Sequence, residues 1–99
     1  MIDHLVSIKL KPSTTPQQRQ DLLAGLRGLR DQVPGVVDLT AGENFSERAQ
    51  GFEIGVMVRF ADRAALDAYG PHPAHQKVVQ ELLLPIREDI IVLDYDSGQ

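Results

Sequence analysis

Apolar and polar residues alternate along three of the four segments predicted as strands, and this two-residue period is typical of β-strands with one buried face. The four predicted strands are Ile2–Leu10, Val36–Glu43, Phe52–Phe60 and Ile90–Tyr95. On the first strand, His4 shares the apolar face with Val6. On the second, Val37, Leu39 and Ala41 are predicted to share a face. The last strand is apolar at consecutive positions, which predicts that it is buried on both faces.

Three other segments show the spacing of helices. The longest begins with a capping box, formed by Thr15 and Gln18 around Pro16, and is predicted to end at about Gln32. Its apolar residues recur every three or four positions and form one stripe: Leu22, Leu26, Leu29 and Val33. Two short helices are predicted after the third strand, one over Arg63–Tyr69 and one beginning near Pro73.

The order of elements is strand, helix, strand, strand, two helices, strand, without an internal repeat or linker. This order predicts an α+β, ferredoxin-like fold, in which a four-stranded antiparallel sheet carries helices on one face. A chain of 99 residues has room for one core, so we predict a single domain over residues 1–96 and a disordered tail over residues 97–99. Leu5 and Met57 lie on the face without helices, and their apolar character predicts that a second copy of the chain covers it.

Composition excludes several classes of function. The net charge is −4, and lysine and arginine are scattered without a basic stripe, so we expect no nucleic-acid partner. The absence of cysteine excludes disulfides, thiol nucleophiles and cysteine-based metal sites. The first residues lack the features of a secretion signal and no apolar run approaches about 20 residues, so we expect a cytoplasmic protein without a membrane partner.

Residues with acid–base chemistry cluster in one short segment, because Tyr69, His72 and His75 lie within seven consecutive positions. If His72 caps the third helix, His75 falls in the first turn, on the face that carries apolar core residues. Burial and the positive end of the helix both disfavour imidazolium, so His75 is expected to be neutral near pH 7. Tyr69 and His4 are predicted to reach the same cleft between helices and sheet.

Four groups of residues, in this order, resemble one known family: His4-Leu5-Val6 with Lys9, then Gly42-Glu43-Asn44, then Phe60 before Asp67-Ala68-Tyr69, then His72-Pro73-Ala74-His75 before Asp94-Tyr95. The chain thus resembles the stress-responsive dimeric α/β barrel (Dabb) domain. The resemblance implies a homodimer whose two sheets form a barrel with the helices outside. In plant polyketide cyclases of this type, which work without a cofactor, a tyrosine and a histidine matching Tyr69 and His75 act on the substrate, assisted by a histidine matching His4. Ile54 stands where those cyclases have a further pocket histidine.

The leading hypothesis is a homodimer that binds a small, largely apolar, carbonyl-bearing molecule and carries out cofactor-free acid–base chemistry of a cyclase or isomerase type. The candidate catalytic residues are His75, Tyr69 and His4. The main alternative is a non-catalytic stress-responsive dimer in which these residues are structural, and a third is a related ferredoxin-like oxygenase or haem-handling protein. His72 is expected to be a helix cap, and Asp94 a structural carboxylate that bonds either a loop or His4. Three histidines without a spaced carboxylate pair predict no metal site.

Overall fold

All 99 residues are described by the computed structural model. The strands are β1 (Ile2–Leu10), β2 (Val36–Glu43), β3 (Phe52–Phe60) and β4 (Arg87–Asp96), and the helices are α1 (Pro16–Gln32), α2 (Arg63–Tyr69) and α3 (Pro73–Val78), which continues into a π-helical turn (Val79–Leu83). The strands form one antiparallel sheet in the order β2-β3-β1-β4. The ferredoxin-like fold expected from the sequence is therefore confirmed.

The helix starts follow from their capping residues. At α1 the backbone N–H of Gln18 donates to the Thr15 hydroxyl at 3.1 Å, and the side-chain oxygen of Gln18 accepts from the backbone N–H of Thr15 at 2.9 Å. This is the predicted capping box, and it satisfies two backbone donors that a helix start leaves free. At α3 the Ala74 N–H donates to Nδ1 of His72 at 3.1 Å, which confirms His72 as the cap.

The core lies between the helices and one face of the sheet. The predicted stripe of α1 is buried in full, and it packs with the inward residues of β1 and β3. The side chains that are least exposed are Phe60, Ile8, Leu22, Leu29, Ile54 and Val58. Burying an apolar side chain of this size stabilises a fold by about 1.5–3 kcal/mol, so these contacts fix where the helices sit on the sheet.

The second strand differs from its predicted alternation at Val37. Val36 pairs with Phe60 and Asp38 with Arg59, so Val37 is an extra residue in the ladder. Such a bulge reverses the side-chain alternation. Val37 is accordingly 45% exposed while Leu39 is buried, and the prediction that Val37 shares a face with Leu39 is wrong.

The last strand also differs from its prediction. It begins at Arg87 rather than Ile90, and it forms an edge of the sheet beside β1. Ile91, Leu93 and Tyr95 point to the face without helices and are about half exposed in the single chain. The prediction of a strand buried on both faces is wrong for this chain taken alone, because no helix covers the outward side of β4.

The open face of the sheet combines apolar and charged residues. An ion pair lies among them, since Arg59 donates to both carboxylate oxygens of Asp3, at 2.7 and 3.0 Å. The hydrogen bond from Arg59 holds the pKa of Asp3 below its ordinary value. Leu5 and Met57 are half-buried beside this pair, and Leu93 is 57% exposed. No helix of the chain combines the length and apolar character that crossing a bilayer requires.

Candidate functional site

A cavity of about 240 Å³ lies between the sheet and the helices, and most of its lining is aliphatic. Its polar lining residues come from four elements: His4 from β1, Tyr69 from α2, His75 from α3 and Arg87 from the start of β4. The three candidate residues predicted from the sequence thus border one cavity. His72 does not line it, in agreement with its role as a cap.

Tyr69 is central to this group. Its ring centroid lies 4.4 Å from that of His75, 6.0 Å from that of His4 and 5.1 Å from that of Phe60. The side chain is 4% exposed, and burial raises the pKa of the phenol to about 12, so the hydroxyl keeps its proton at neutral pH. The hydroxyl makes no hydrogen bond within the chain. Every fully buried polar side-chain atom has a hydrogen-bond partner, so the oxygen of Tyr69 is not fully buried. The hydroxyl therefore opens onto the cavity as a free donor.

His75 is held by the turn that precedes its helix. Its Nδ1 lies 2.9 Å from the Gly70 carbonyl oxygen, which accepts only. The neutral ring therefore carries its proton on Nδ1 and keeps a lone pair on Nε2, which has no partner in the chain. Burial lowers the pKa of His75, partly offset by the hydrogen bond to Gly70. A neutral imidazole with a free Nε2 is the form that accepts a proton.

His4 is oriented by a carboxylate on the neighbouring strand. His4 and Asp94 stand directly opposite each other in the β1–β4 ladder, and Nδ1 of His4 is hydrogen-bonded to Oδ1 of Asp94. An ionised carboxylate only accepts, so Nδ1 of His4 donates this hydrogen bond to Asp94, and Nε2 of His4 has no partner in the chain. Of the two roles predicted for Asp94, the structure selects the contact with His4.

A larger polar cleft of about 600 Å³ lies beyond Asp94, between α2 and the end of β4, and none of the histidines lines it. Ile54 is buried in the core at 1% exposure and contributes no polar group.

Nowhere in the chain do three histidine, aspartate or glutamate side chains cluster as ligands of one metal ion would. Arg87 is not among the residues predicted from the sequence, because its position depends on a strand irregularity that local periodicity does not reveal.

This geometry defines the class of protein. It is a ferredoxin-like α+β domain with a cavity that is bordered by histidine and tyrosine side chains. The model of the stress responsive A/B barrel domain (Dabb) matches residues 2–97, and the chain belongs to this family. A stress-response A/B barrel domain-containing protein of Arabidopsis thaliana is 34% identical over 65 residues, which are 65% of this chain. The match spans only 25% of the length of that curated relative.

Solved structures share the fold over nearly the whole chain. A dimeric ferredoxin-like protein of unknown function from Jannaschia sp. is 30% identical, with a TM-score of 0.79 and coverage of 96% of this chain and 97% of that one. A Dabb family protein from Mesorhizobium loti is 25% identical, with a TM-score of 0.82 and coverage of 96% and 94%. The hydroxynitrile lyase of Passiflora edulis is 22% identical, with a TM-score of 0.84 and coverage of 95% and 90%. At that identity the last likeness shows the fold alone.

Proposed function

We propose that this chain forms a homodimeric Dabb protein that binds a small, largely apolar carbonyl compound and carries out cofactor-free acid–base chemistry on it. One observation carries the proposal: a protonated Tyr69 hydroxyl and a neutral His75, each with a free polar atom, border the same apolar cavity. A polar atom that meets no partner in the fold is available to a ligand. The apolar lining excludes water and strengthens such contacts.

The proposed reaction begins with removal of a proton from the carbon beside the carbonyl group. Nε2 of His75 takes the proton, the C–H electron pair moves into the enolate, and Tyr69 donates a hydrogen bond to the oxygen that becomes negative. The enolate then attacks a second carbonyl of the same molecule, as in a cyclase, or takes a proton at another atom, as in an isomerase. In both cases the imidazolium of His75 gives the proton back, to the new alkoxide or to the atom that is protonated, and the ring becomes neutral again. His4, oriented by Asp94, assists by contacting the substrate through its free ring nitrogen.

The comparison with the Passiflora edulis protein is consistent with this assignment, since that protein is a hydroxynitrile lyase and has the same fold. A lyase of this fold shows that the fold can carry an enzyme, and the case for acid–base chemistry in the present chain rests on the residues of its own cavity. Fold alone does not transfer a substrate, so the identity of the carbonyl compound is left to experiment.

The test is exchange of the α-protons of octan-2-one in D₂O, followed by NMR, because it reports proton removal without requiring the natural substrate. We expect the wild-type protein to accelerate the exchange and His75→Ala to abolish the acceleration. His72→Asn is the matched control, since it removes a nearby imidazole but keeps a side chain that caps helices well. Equal exchange by the wild type and His75→Ala would refute the site assignment.

A second candidate is a non-catalytic dimer in which the same residues serve the fold. The observation that favours it is that both cavity histidines use one ring nitrogen on the protein, His75 toward Gly70 and His4 toward Asp94. In that case the wild type would bind no ketone, and a thermal-shift titration with octan-2-one would leave the melting temperature unchanged. Binding to the native state raises that temperature with ligand concentration.

The proposed dimer uses the open face of the sheet, where Ile91, Leu93 and Tyr95 are about half exposed. The Jannaschia relative, which is a dimeric protein, supports this assembly. We expect a mass in solution near twice the 10.9 kDa of the chain, and Leu93→Asp should shift it toward the monomer because it places a charge in an apolar interface. A monomeric wild type at micromolar concentration would refute the barrel assembly.

A further inference from the structure

Arg87 lies at the cavity without a partner of its own. Four other arginines bind groups within the chain: Arg19, Arg27, Arg30 and Arg59. The guanidinium of Arg87 makes neither an ion pair nor a hydrogen bond, and Arg87 is the one lysine or arginine that lines the cavity. Arginine donates five N–H groups in a planar fork that matches a carboxylate or phosphate, so the unpaired guanidinium of Arg87 is able to bind an anion that enters the cavity.

A strand irregularity directs Arg87 toward this cavity. Leu10 pairs with Arg87 and Lys9 pairs with Asp89, so the ladder holds one extra residue, Glu88, between them. Residues directly opposite in a ladder share a face, and Leu10 is buried on the helix side. The bulge therefore places Arg87 on the helix side and Asp89 on the open face, which separates the guanidinium from the carboxylate of Asp89.

Arg87 and the histidines lie at opposite ends of the cavity. His4 and Leu10, the ladder partner of Arg87, are six residues apart on β1, which at 3.3 Å per residue is roughly 20 Å between Cα atoms. Side chains of β4 that line the cavity between these ends are aliphatic, namely Ile90 and Val92. A ligand that occupies the whole cavity thus meets acid–base groups at one end, an apolar middle and a guanidinium at the other.

We propose that the cavity takes an elongated apolar molecule with an anionic end, and that Arg87 binds the anion while the carbonyl lies beside Tyr69 and His75. The inference rests on the proposed function for the position of the carbonyl. The chain carries a net charge of −4, which repels anions in general, and Arg87 supplies a local positive charge at the cavity. A carboxylate is the simplest anion of this kind.

The experiment compares two probes of the same length that differ in one end group, the anionic 9-oxodecanoate and the neutral 9-oxodecanamide. Each has a ketone at one end, and their dissociation constants are measured by calorimetry. We expect the wild type to bind the acid about fivefold more tightly than the amide, the ratio that corresponds to about 1 kcal/mol for a partly exposed ion pair. The preference should disappear in Arg87→Gln, persist in Arg87→Lys and shrink in 1 M salt.

Arg48→Gln is the matched control, because Arg48 lies in the loop between β2 and β3, has no ion pair and does not line the cavity. It changes the net charge equally and should leave the preference intact. Equal affinity of the wild type for both probes, or a preference retained in Arg87→Gln, would overturn the role of Arg87. A failure of both probes to bind would also overturn it.

Failure of this inference is distinguishable from failure of the proposed function. If the amide binds as well as the acid and its α-protons exchange in a His75-dependent manner, the acid–base proposal stands and anion binding by Arg87 is wrong. If the acid is preferred but its α-protons do not exchange, Arg87 binds the anion and the catalytic proposal is wrong.

Discussion

Replacing Tyr69 with phenylalanine separates a functional hydroxyl from a structural one. The ring is 4% exposed and packs against His75 and Phe60 at 4.4 and 5.1 Å between centroids, and phenylalanine keeps these contacts. The lost hydroxyl makes no hydrogen bond within the chain. A typical intramolecular hydrogen bond stabilises a protein by about 0.5–1.5 kcal/mol, and none is removed here. We therefore expect Tyr69→Phe to change the free energy of unfolding by less than about 0.5 kcal/mol.

The same substitution should have a large effect on chemistry. Loss of one hydrogen-bond donor to a developing oxyanion typically slows a reaction by about 10²–10³-fold. We expect a decrease of this order in the exchange of the α-protons of octan-2-one, while Tyr69→Ala should instead lose about 3–5 kcal/mol of stability because the ring is removed.

Stability is measured by urea unfolding followed by far-ultraviolet circular dichroism, at one fixed chain concentration because a dimer unfolds in a concentration-dependent manner. Exchange is measured by NMR on the same preparations. The reasoning would be refuted if Tyr69→Phe lost more than about 1 kcal/mol of stability and kept the wild-type rate of exchange, because the hydroxyl would then be bonded inside the fold.

Four further predictions concern pH, the histidine–carboxylate pair and two glycines. Because burial lowers the pKa of His75 below 6.5, the unfolded chain takes up this proton first, and stability should fall as pH drops below 6.5, by at most about 1.4 kcal/mol per pH unit. His75→Gln should lose less stability between pH 7.5 and 5.5 in urea unfolding, and an equal loss would contradict the assignment. Asp94→Ala should slow α-proton exchange by roughly tenfold, because it frees the ring of His4; an unchanged rate would show that the pair is not used. Gly35→Ala should destabilise by at least about 1 kcal/mol in urea unfolding, since Gly35 has φ +89° and an added Cβ would lie 2.8 Å from an alanine Cβ of α2. Gly28→Ala should stabilise by about 0.5–1 kcal/mol, because its added Cβ meets only a glutamine side-chain nitrogen at 3.3 Å; a loss of stability there would contradict the reasoning.

Features of the site that depend on short sequence spacings were predictable. His72 caps α3 because its side chain reaches an N–H two residues ahead, and this places His75 in the first turn on the inward face. The helical period also put Tyr69 on the buried side of α2, where the structure has it. The convergence of these residues with His4 followed from the order of the elements, because this order builds a single sheet with helices on one face.

Other features of the site depend on contacts between distant segments. Which ring nitrogen of His75 lacks a partner depends on the contact of the ring with Gly70. Whether the Tyr69 hydroxyl has a hydrogen-bond partner depends on the side chains that pack around it. The contact of Asp94 with His4 depends on the register of two strands that are far apart in sequence. Local periodicity carries no information about such registers.

The sequence by itself determined the number, type and approximate limits of the elements, because caps, turns and apolar periods act over two to four residues. It also determined the composition of the site, with Tyr69 and His75 on successive helices and His4 on the first strand. The tertiary structure alone decided the edge position of β4, the bulges at Val37 and Glu88, and hence the exposure of Leu93 and the placement of Arg87. The reason is that strand order and register are set by hydrogen bonds between segments tens of residues apart, and one extra residue turns a side chain to the opposite face.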